Sequence, residues 1–253
     1  MPLSGKKGLI VGIANEHSIA YGCAKVLRSA GAELGVTYLN AKAEPYVRPL
    51  AEQLESSIVV PCDVREPGQL EAVFSLIKDK WRRLDFLLHS IAYAPKEDLH
   101  SRVIDCSQSG FALAMDVSCH SFIRMARLAE PLMTQGGCLL TVTFYGAERV
   151  VGEYNLMGLV KAALESSVRY MAAELGTKCI RVHALSPGPL KTRSASGIER
   201  FDELLERARS RAPQQRLVSI EDVGNLAAFL VSDAAAALTG NVEYIDAGYH
   251  VIG

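Results

Sequence analysis

The feature that most limits the fold of this chain is a regular alternation of short apolar runs with longer amphipathic segments. The apolar runs have the length of buried strands, and the segments between them carry apolar residues at helical spacing. Apolar strands separated by amphipathic helices predict a parallel sheet that is covered on both faces. We therefore predict an α/β fold with a doubly wound parallel sheet and helices on both faces.

Seven strands and six helices follow from this pattern. The predicted strands span residues 8–11, 33–38, 58–62, 86–90, 139–145, 180–186 and 242–245. The predicted helices span residues 19–30, 43–54, 67–81, 111–132, 154–175 and 220–230. Ser219, followed three residues later by Asp222, predicts a capping box at the start of the last helix. No repeat or linker interrupts the pattern, so we expect a single Rossmann-like domain over residues 1–253.

Charge and cysteine content argue against several functional classes. The 27 Lys and Arg residues nearly balance 28 Asp and Glu residues, which gives no support for binding to nucleic acid or to a membrane surface. No apolar run approaches the roughly 18 residues that suggest a membrane span, and no signal-peptide pattern is present. The six cysteines form no CxxC pair, and no His lies at metal-ligand spacing from them, so no metal site is expected. A cytoplasmic location is the expectation.

Tyr154 and Lys161 lie seven residues apart on the predicted helix 154–175. Seven steps of about 100° return a side chain to within roughly 20° of its starting direction, so the phenol and the ammonium share one face. Met157 lies between them on that face. Their polar ends can reach a common ligand, although an ordinary amphipathic helix with a solvent-reaching Lys gives the same pattern.

The turn after the first predicted strand has features of a nucleotide site. Gly12 permits a tight turn and a close backbone approach, and Gly22 permits close packing of the helix on the sheet. Ser18 is expected to cap the helix, with its hydroxyl and the N–H of Ile19 facing a phosphate. The spacing is not the GxGxxG fingerprint, so a plain strand–helix turn is an alternative.

Three further strand ends supply candidate cofactor-binding residues, because ligands of such sheets bind beyond the carboxyl ends of the strands. The candidates are Leu39, Asp63, Val64, Ser90, Ile91 and Ala92. Asp63 is expected to accept a hydrogen bond from an adenine amino group. The second strand lacks the carboxylate that usually binds the adenosine ribose of NAD, while Lys42 and Arg48 lie within reach of a 2′-phosphate. The choice between NADH and NADPH therefore stays open.

Five stretches of the chain resemble the bacterial enoyl-acyl-carrier-protein reductases, a subgroup of the short-chain dehydrogenase/reductases. They are GIANEHSIAYG, CDV, HSIAYAP, YNLMGLVKAALE and SPGPLKTRSASGI. The Gly12-to-Ser18 spacing and the placement of Met157 between Tyr154 and Lys161 are specific to that subgroup. The resemblance extends from Leu3 to Gly248.

The resemblance implies reduction of the 2,3 double bond of a 2-enoyl thioester on acyl carrier protein, in fatty acid elongation. A nicotinamide cofactor, NADH or NADPH with NADH favoured, would supply the hydride. Tyr154 would hydrogen-bond the thioester oxygen as negative charge builds on it. Lys161 would hold the nicotinamide ribose hydroxyls and lower the pKa of Tyr154.

Further roles follow from the same resemblance. Ile91, Leu190 and Thr192 would line the nicotinamide, and Ala94, Phe144 and Met157 would contact the substrate. The segment 194–211 would be a mobile cover for the acyl chain, although its many charges also fit a solvated helix. The protein would assemble as a homotetramer.

The chain departs from the family pattern ten residues before Tyr154, where the family usually has a second Tyr. That position is Phe144 here, and Tyr145 follows it. A regular strand would direct Tyr145 to the opposite face, whereas a bulge would bring it into the site as a further catalytic residue. Ala92 also replaces a Gly that is usual in the family and narrows the pocket.

Two other functions compete with this interpretation. A carbonyl or 3-oxoacyl reductase of the same superfamily pairs the Tyr with a Ser or Thr about thirteen residues upstream, where Thr141 stands. A non-catalytic nucleotide-binding protein is the second competing function, but the presence of both Tyr154 and Lys161 argues against it.

Overall fold

The computed structural model describes residues 2–190, 192 and 201–252. Its strands form one parallel sheet in the order β3-β2-β1-β4-β5-β6-β7. They are β1 (Lys7–Val11), β2 (Glu33–Tyr38), β3 (Ile58–Pro61), β4 (Phe86–His89), β5 (Gly137–Val142), β6 (Ile180–Pro187) and β7 (Val242–Ile245). The predicted α/β fold with a doubly wound parallel sheet and all seven predicted strands is confirmed.

Helices cover both faces of this sheet. They are α1 (Ile19–Ser29), α2 (Glu44–Gln53), α3 (Gln69–Trp81), α4 (Lys96–His100), α5 (Gln108–Met115), α6 (Ser121–Ala129), α7 (Asn155–Leu175), α8 (Phe201–Arg211) and α9 (Ile220–Val231). One apolar core packs α3, α6 and α7 on one face, and a second packs α1, α2 and α9 on the other. The strand order reverses between β1 and β4, which opens a crevice at their carboxyl ends.

The single helix predicted over 111–132 is wrong. The chain forms α5, a π-helical turn over Asp116–His120, α6 and a 3-10 turn over Glu130–Leu132. In the π-helical turn the backbone N–H of Ser121 donates to the carbonyl of Asp116, five residues earlier. The Val117 carbonyl then accepts a hydrogen bond from the Ser121 hydroxyl at 2.7 Å. A local change of pitch of this kind leaves the apolar periodicity nearly intact, so the pattern did not reveal it.

The packing partner predicted for Gly22 is also wrong. A Cβ at Gly22 would lie 2.4 Å from the Cβ of Ile220, and one at Gly224 would lie 2.8 Å from the Gly22 carbonyl oxygen. The two glycines thus permit close contact between α1 and α9, not between α1 and the sheet. The predicted capping box of α9 is confirmed: the Ser219 hydroxyl accepts from the Asp222 N–H at 3.1 Å, and the Asp222 carboxylate accepts from the Ser219 N–H at 2.9 Å.

The helix α4 was not predicted, because it has 5 residues and is largely polar. The helix α8 lies in the segment 194–211, where a solvated, charged helix was the alternative to a mobile cover. The predicted mobile segment 194–211 lies partly outside the described residues, and its remainder, Phe201–Arg211, forms α8. No helix within the described ranges is long and apolar enough to cross a membrane.

Candidate active site

A cavity of about 330 Å³ lies at the carboxyl ends of β1, β4, β5 and β6, beside the start of α7. Its lining comprises Gly12, Ala14, Ser18, Ile19, Ser90, Ile91, Ala92, Tyr93, Ala94, Leu99, Val142, Thr143, Phe144, Tyr154, Met157, Lys161, Pro187, Gly188, Pro189, Leu190 and Thr192. The lining is mainly apolar, with a few polar groups at one wall, as is usual for a small-molecule site.

The floor of the cavity is formed where the turn after β1 meets the end of β4. Gly12 has a φ of +116°, and a Cβ at this position would lie 2.1 Å from the carbonyl oxygen of Ser90. Only glycine permits this backbone approach, and Gly12 and Ser90 both line the cavity. Such a glycine turn before a helix matches what a dinucleotide requires.

Ser18 stands at the N-cap position of α1 but does not cap the helix with its side chain. Its hydroxyl oxygen accepts hydrogen bonds from the N–H groups of Ala14 and Asn15, both at 3.0 Å. The expectation of a capping hydroxyl is therefore wrong, because the loop before the helix supplies nearer donors. The first N–H groups of α1, including that of Ile19, remain directed toward the cavity end of the helix, where an anion is favoured.

Lys161 is buried in the cavity wall, with 5% of its surface exposed. Its Nζ donates a hydrogen bond to the carbonyl oxygen of Val142 at 2.7 Å. Burial lowers the pKa of Lys161 to about 8, and the nearby carboxylate of Glu165 opposes this shift. The side chain is therefore still mainly an ammonium at pH 7. An ammonium has three donors, so this bond leaves two for a ligand.

Tyr154 is the N-cap residue of α7 and is buried. Its ring packs edge-to-face against Phe144, with ring centroids 4.9 Å apart, and lies over Gly146, where a Cβ would collide with it. Burial, and then the charge of Glu165, raise the pKa of Tyr154 above its ordinary value. The expected lowering of this pKa is wrong for the chain alone, because burial disfavours the charged phenolate and the carboxylate of Glu165 disfavours it further. The phenol stays protonated and can act as a hydrogen-bond donor.

Comparison with known proteins identifies the family of the chain. Residues 12–250 match the family model described as enoyl-(acyl carrier protein) reductase. The chain is 46% identical over 251 residues to an NADH-dependent enoyl-[acyl-carrier-protein] reductase of Rhizobium meliloti, covering 99% of this chain and 92% of the relative. The chain belongs to the enoyl-acyl-carrier-protein reductase family.

Solved structures of the family agree with this assignment. The enoyl-acyl-carrier-protein reductase of Anaplasma phagocytophilum, in complex with NAD, superposes with a TM-score of 0.96 at 44% identity over 99% of this chain and 96% of that one. The Bacillus cereus reductase, with NADP⁺ and an indole naphthyridinone, gives a TM-score of 0.97 at 44% identity over the full length of both chains. The expectation drawn from the sequence motifs is thus confirmed at the level of the family.

The structure brings most of the predicted site residues of this enoyl-acyl-carrier-protein reductase into one cavity. The predicted residues that line it are Gly12, Ser18, Ile19, Ser90, Ile91, Ala92, Ala94, Phe144, Tyr154, Met157, Lys161, Leu190 and Thr192. Parallel strands present their carboxyl ends at one edge of the sheet, so residues far apart in sequence meet there. The individual roles assigned to them stay predictions.

Three predicted cofactor residues lie outside the cavity, at the carboxyl ends of β2 and β3. Leu39 is 49% exposed, and Asp63 and Val64 are buried in the turn after β3. The Asp63 carboxylate is bound by the guanidinium of Arg65, with oxygen–nitrogen distances of 3.0 and 2.6 Å. This ion pair lowers the pKa of Asp63, and the expected contact of its carboxylate with an adenine amino group stays a prediction.

Tyr145 does not line the cavity. β5 ends at Val142, Phe144 remains extended, and Tyr145 begins a 3-10 turn. Its ring contacts Tyr249 instead, with ring centroids 5.8 Å apart. The catalytic role considered for Tyr145 therefore has no geometric support, because extended backbone at Phe144 directs adjacent side chains to opposite sides.

Sequence reasoning missed several residues of the cavity wall. They are Ala14, Tyr93, Leu99, Val142, Thr143, Pro187, Gly188 and Pro189. It also missed the buried Glu165, whose carboxylate accepts a hydrogen bond from the Thr143 hydroxyl at 2.7 Å. A signal was available, since Glu165 lies four residues after Lys161 and therefore on the same face of α7.

Proposed function

We propose that this protein reduces the 2,3 double bond of 2-enoyl thioesters, carried on acyl carrier protein, during fatty acid elongation. One observation carries the proposal: Tyr154 and Lys161 lie in the wall of a single apolar cavity, directly beside the glycine turn after β1. In this arrangement a proton-donating phenol and a ribose-binding ammonium both face the space that a nucleotide and an acyl thioester would share.

NADH is the proposed cofactor. Gly12 and Ser90 both line the cavity proposed to hold the dinucleotide, and the absence of a side chain at position 12 lets the two backbones approach closely there. The curated relative from Rhizobium meliloti is named for NADH, although the Bacillus cereus structure contains NADP⁺. Arg48, which was considered for a 2′-phosphate, is already held by an ion pair to Glu44 one turn earlier on α2. The chain thus has one fewer cation available to favour NADPH.

The chemistry assigned to the chain consists of orientation and charge stabilisation. A bound nicotinamide supplies the hydride for the β-carbon of the enoyl thioester. The Tyr154 hydroxyl donates a hydrogen bond to the thioester oxygen, and this bond strengthens as the oxygen gains negative charge. Lys161, fixed by the Val142 carbonyl, donates its remaining protons to ribose hydroxyls. The apolar lining around Phe144 and Met157 excludes water from the acyl chain.

A comparison of two thioesters tests the proposal. The purified protein is mixed with crotonyl or acetoacetyl thioester and with NADH or NADPH, and nicotinamide absorbance is followed. We expect oxidation of NADH with the crotonyl substrate and a rate at least about a hundredfold lower with the acetoacetyl substrate. Faster oxidation with acetoacetyl thioester would support the 3-oxoacyl reductase alternative instead. A cytoplasmic location and a homotetramer remain predictions from the sequence and the family.

A further inference from the structure

Glu165 is a buried carboxyl group that the proposed chemistry does not use. It lies on α7 one turn beyond Lys161, and only 4% of its surface is exposed. Its Oε1 accepts a hydrogen bond from the Thr143 hydroxyl at 2.7 Å. Burial of a carboxylate is costly unless hydrogen bonds or opposite charges compensate for it, so its position beside the active site calls for a physical reason.

Two consecutive residues, Val142 at the end of β5 and Thr143 after it, form hydrogen bonds to two side chains of α7. The Val142 carbonyl accepts from the Lys161 ammonium at 2.7 Å, and the Thr143 hydroxyl donates to the Glu165 carboxylate at the same distance. Lys161 and Glu165 are four residues apart, so they are neighbours on one helical face. Thr143 and Lys161 also line the cavity. The carboxylate is thereby fixed in position relative to the ammonium that faces the cofactor space.

The charges around Lys161 and Glu165 indicate that the Glu165 carboxylate stabilises the charged form of Lys161. Burial favours the neutral amine of Lys161, whereas the carboxylate of Glu165 favours the ammonium. The other titratable groups near Lys161 are Cys119 and His89, and both are neutral near pH 7 because burial raises the pKa of the thiol and lowers that of the imidazole to about 3. Among the described residues, Glu165 is thus the anionic group that acts on Lys161.

The groups that face Glu165 itself come from three elements. They are Tyr154 at the start of α7, Lys161 and Arg169 on α7, Glu148 after the 3-10 turn that follows β5, and Tyr244 on β7. Burial raises the pKa of Glu165, while the Thr143 hydrogen bond, Arg169 and Lys161 lower it. The Thr143 hydroxyl therefore contributes directly to keeping the carboxylate ionised.

We propose that Glu165 is a positioning residue of the reductase: anchored by Thr143, its carboxylate keeps Lys161 charged for its contact with the nucleotide ribose. This inference rests on the proposed function only for the identity of the substrate. The effect of Glu165 on Lys161 can be measured by nucleotide binding without any enoyl thioester. The proposal on Glu165 and the proposed function can therefore fail separately.

The test is the pH dependence of NADH binding in Glu165→Gln. The amide oxygen of Gln retains an acceptor for Thr143 while the charge is removed. NADH affinity is measured by nicotinamide fluorescence from about pH 6 to about pH 10, a range that contains the Lys161 titration. We expect the alkaline midpoint, where binding weakens, to fall by about one pH unit, because a neighbouring opposite charge shifts a pKa by about one unit or more. Glu174→Gln, at an exposed position of the same helix, serves as the control and leaves the midpoint unchanged.

A second variant covers the case in which Glu165→Gln does not fold. Thr143→Val keeps the carboxyl group but removes its hydrogen-bond donor, which raises the pKa of Glu165 and lowers the ionised fraction of the carboxyl group. The alkaline midpoint of NADH binding is therefore expected to fall, by less than in Glu165→Gln. Unmoved midpoints in the folded variants, with turnover intact, would refute the role of Glu165. Normal NADH binding without reduction of any enoyl thioester would refute the proposed function and leave the action of Glu165 on Lys161 standing.

Discussion

The hydroxyl of Thr141 lies 2.9 Å from Nδ1 of His89, and both side chains are completely buried beneath the cavity. The Ser121 hydroxyl lies 2.8 Å from Nε2 of the same ring and donates its own proton to the Val117 carbonyl. His89 must therefore donate from Nε2 and accept at Nδ1 from Thr141. The Thr141 hydroxyl is engaged in this network and does not reach the substrate space, which removes the residue on which the 3-oxoacyl reductase alternative depends.

Thr141→Val is expected to reduce stability and leave the chemistry unchanged. The substitution leaves a buried acceptor of His89 without its donor, which costs about 1–3 kcal/mol of unfolding free energy. Denaturant unfolding checks this value, with the exposed Thr177→Val as a control that changes it by less than about 0.5 kcal/mol. The rate with crotonyl thioester should change less than about threefold. A selective loss of turnover at unchanged stability would instead place Thr141 in the chemical step.

Tyr154→Phe is expected to lower kcat by about a hundredfold, because it removes the donor that stabilises the developing oxyanion. The Phe ring preserves the packing against Phe144, and Lys161 is untouched, so the dissociation constant of NADH should change by less than about twofold. Steady-state kinetics and nicotinamide fluorescence measure the two quantities. Tyr145→Phe is the matched control, since this phenol lies against Tyr249, and it should retain full turnover. Equal losses in both variants would contradict the assignment.

Phe144→Tyr is expected to strengthen binding of diphenyl-ether inhibitors, which target this family. The structure places Phe144 in the cavity wall against Tyr154, so the new hydroxyl would enter the site. A hydrogen bond of about 1 kcal/mol corresponds to a gain of about fivefold in affinity. Inhibition constants for the two proteins give the comparison, and Phe144→Leu should show no gain. This expectation would be wrong if the unmodified protein is already inhibited as strongly as typical family members.

Lys161→Met is expected to change how stability depends on pH. Burial lowers the pKa of Lys161 from 10.5 to about 8, so between these values the unfolded chain binds more protons than the folded one. The free energy of unfolding of the unmodified protein therefore increases as pH rises from about 8 to the unfolded pKa of 10.5. From about pH 7 to about pH 9 this contribution is about 1 kcal/mol.

The measurement compares unfolding free energies of the two proteins over that pH range. The stability of Lys161→Met minus that of the unmodified protein should fall by about 1 kcal/mol as pH rises, since the variant has no amine to titrate. A constant difference would show that the ammonium is not destabilised by burial. The comparison needs no substrate and no cofactor, so it tests the electrostatics of the cavity wall alone.

The motifs at strand ends were predictable for a topological reason. Once the strands were recognised as parallel, Gly12, Ser90 and Lys161 had to lie near the same edge of the sheet, and the cavity confirms this. Directions of individual side chains were less predictable. The Ser18 hydroxyl bonds to its own loop, and Tyr145 turns to Tyr249, because each choice depends on the neighbours that tertiary packing supplies.

The sequence by itself determined the order of the seven strands and the pairing of Tyr154 with Lys161, since both follow from periodicity and spacing along the chain. The family followed from the resemblance of its motifs. Only the tertiary structure decided the charge states in the site. The pKa values of Tyr154 and Lys161 are governed by desolvation and by the position of Glu165. Burial and distance between groups exist only in the folded chain, so the electrostatics of the cavity could not be deduced from the order of its residues.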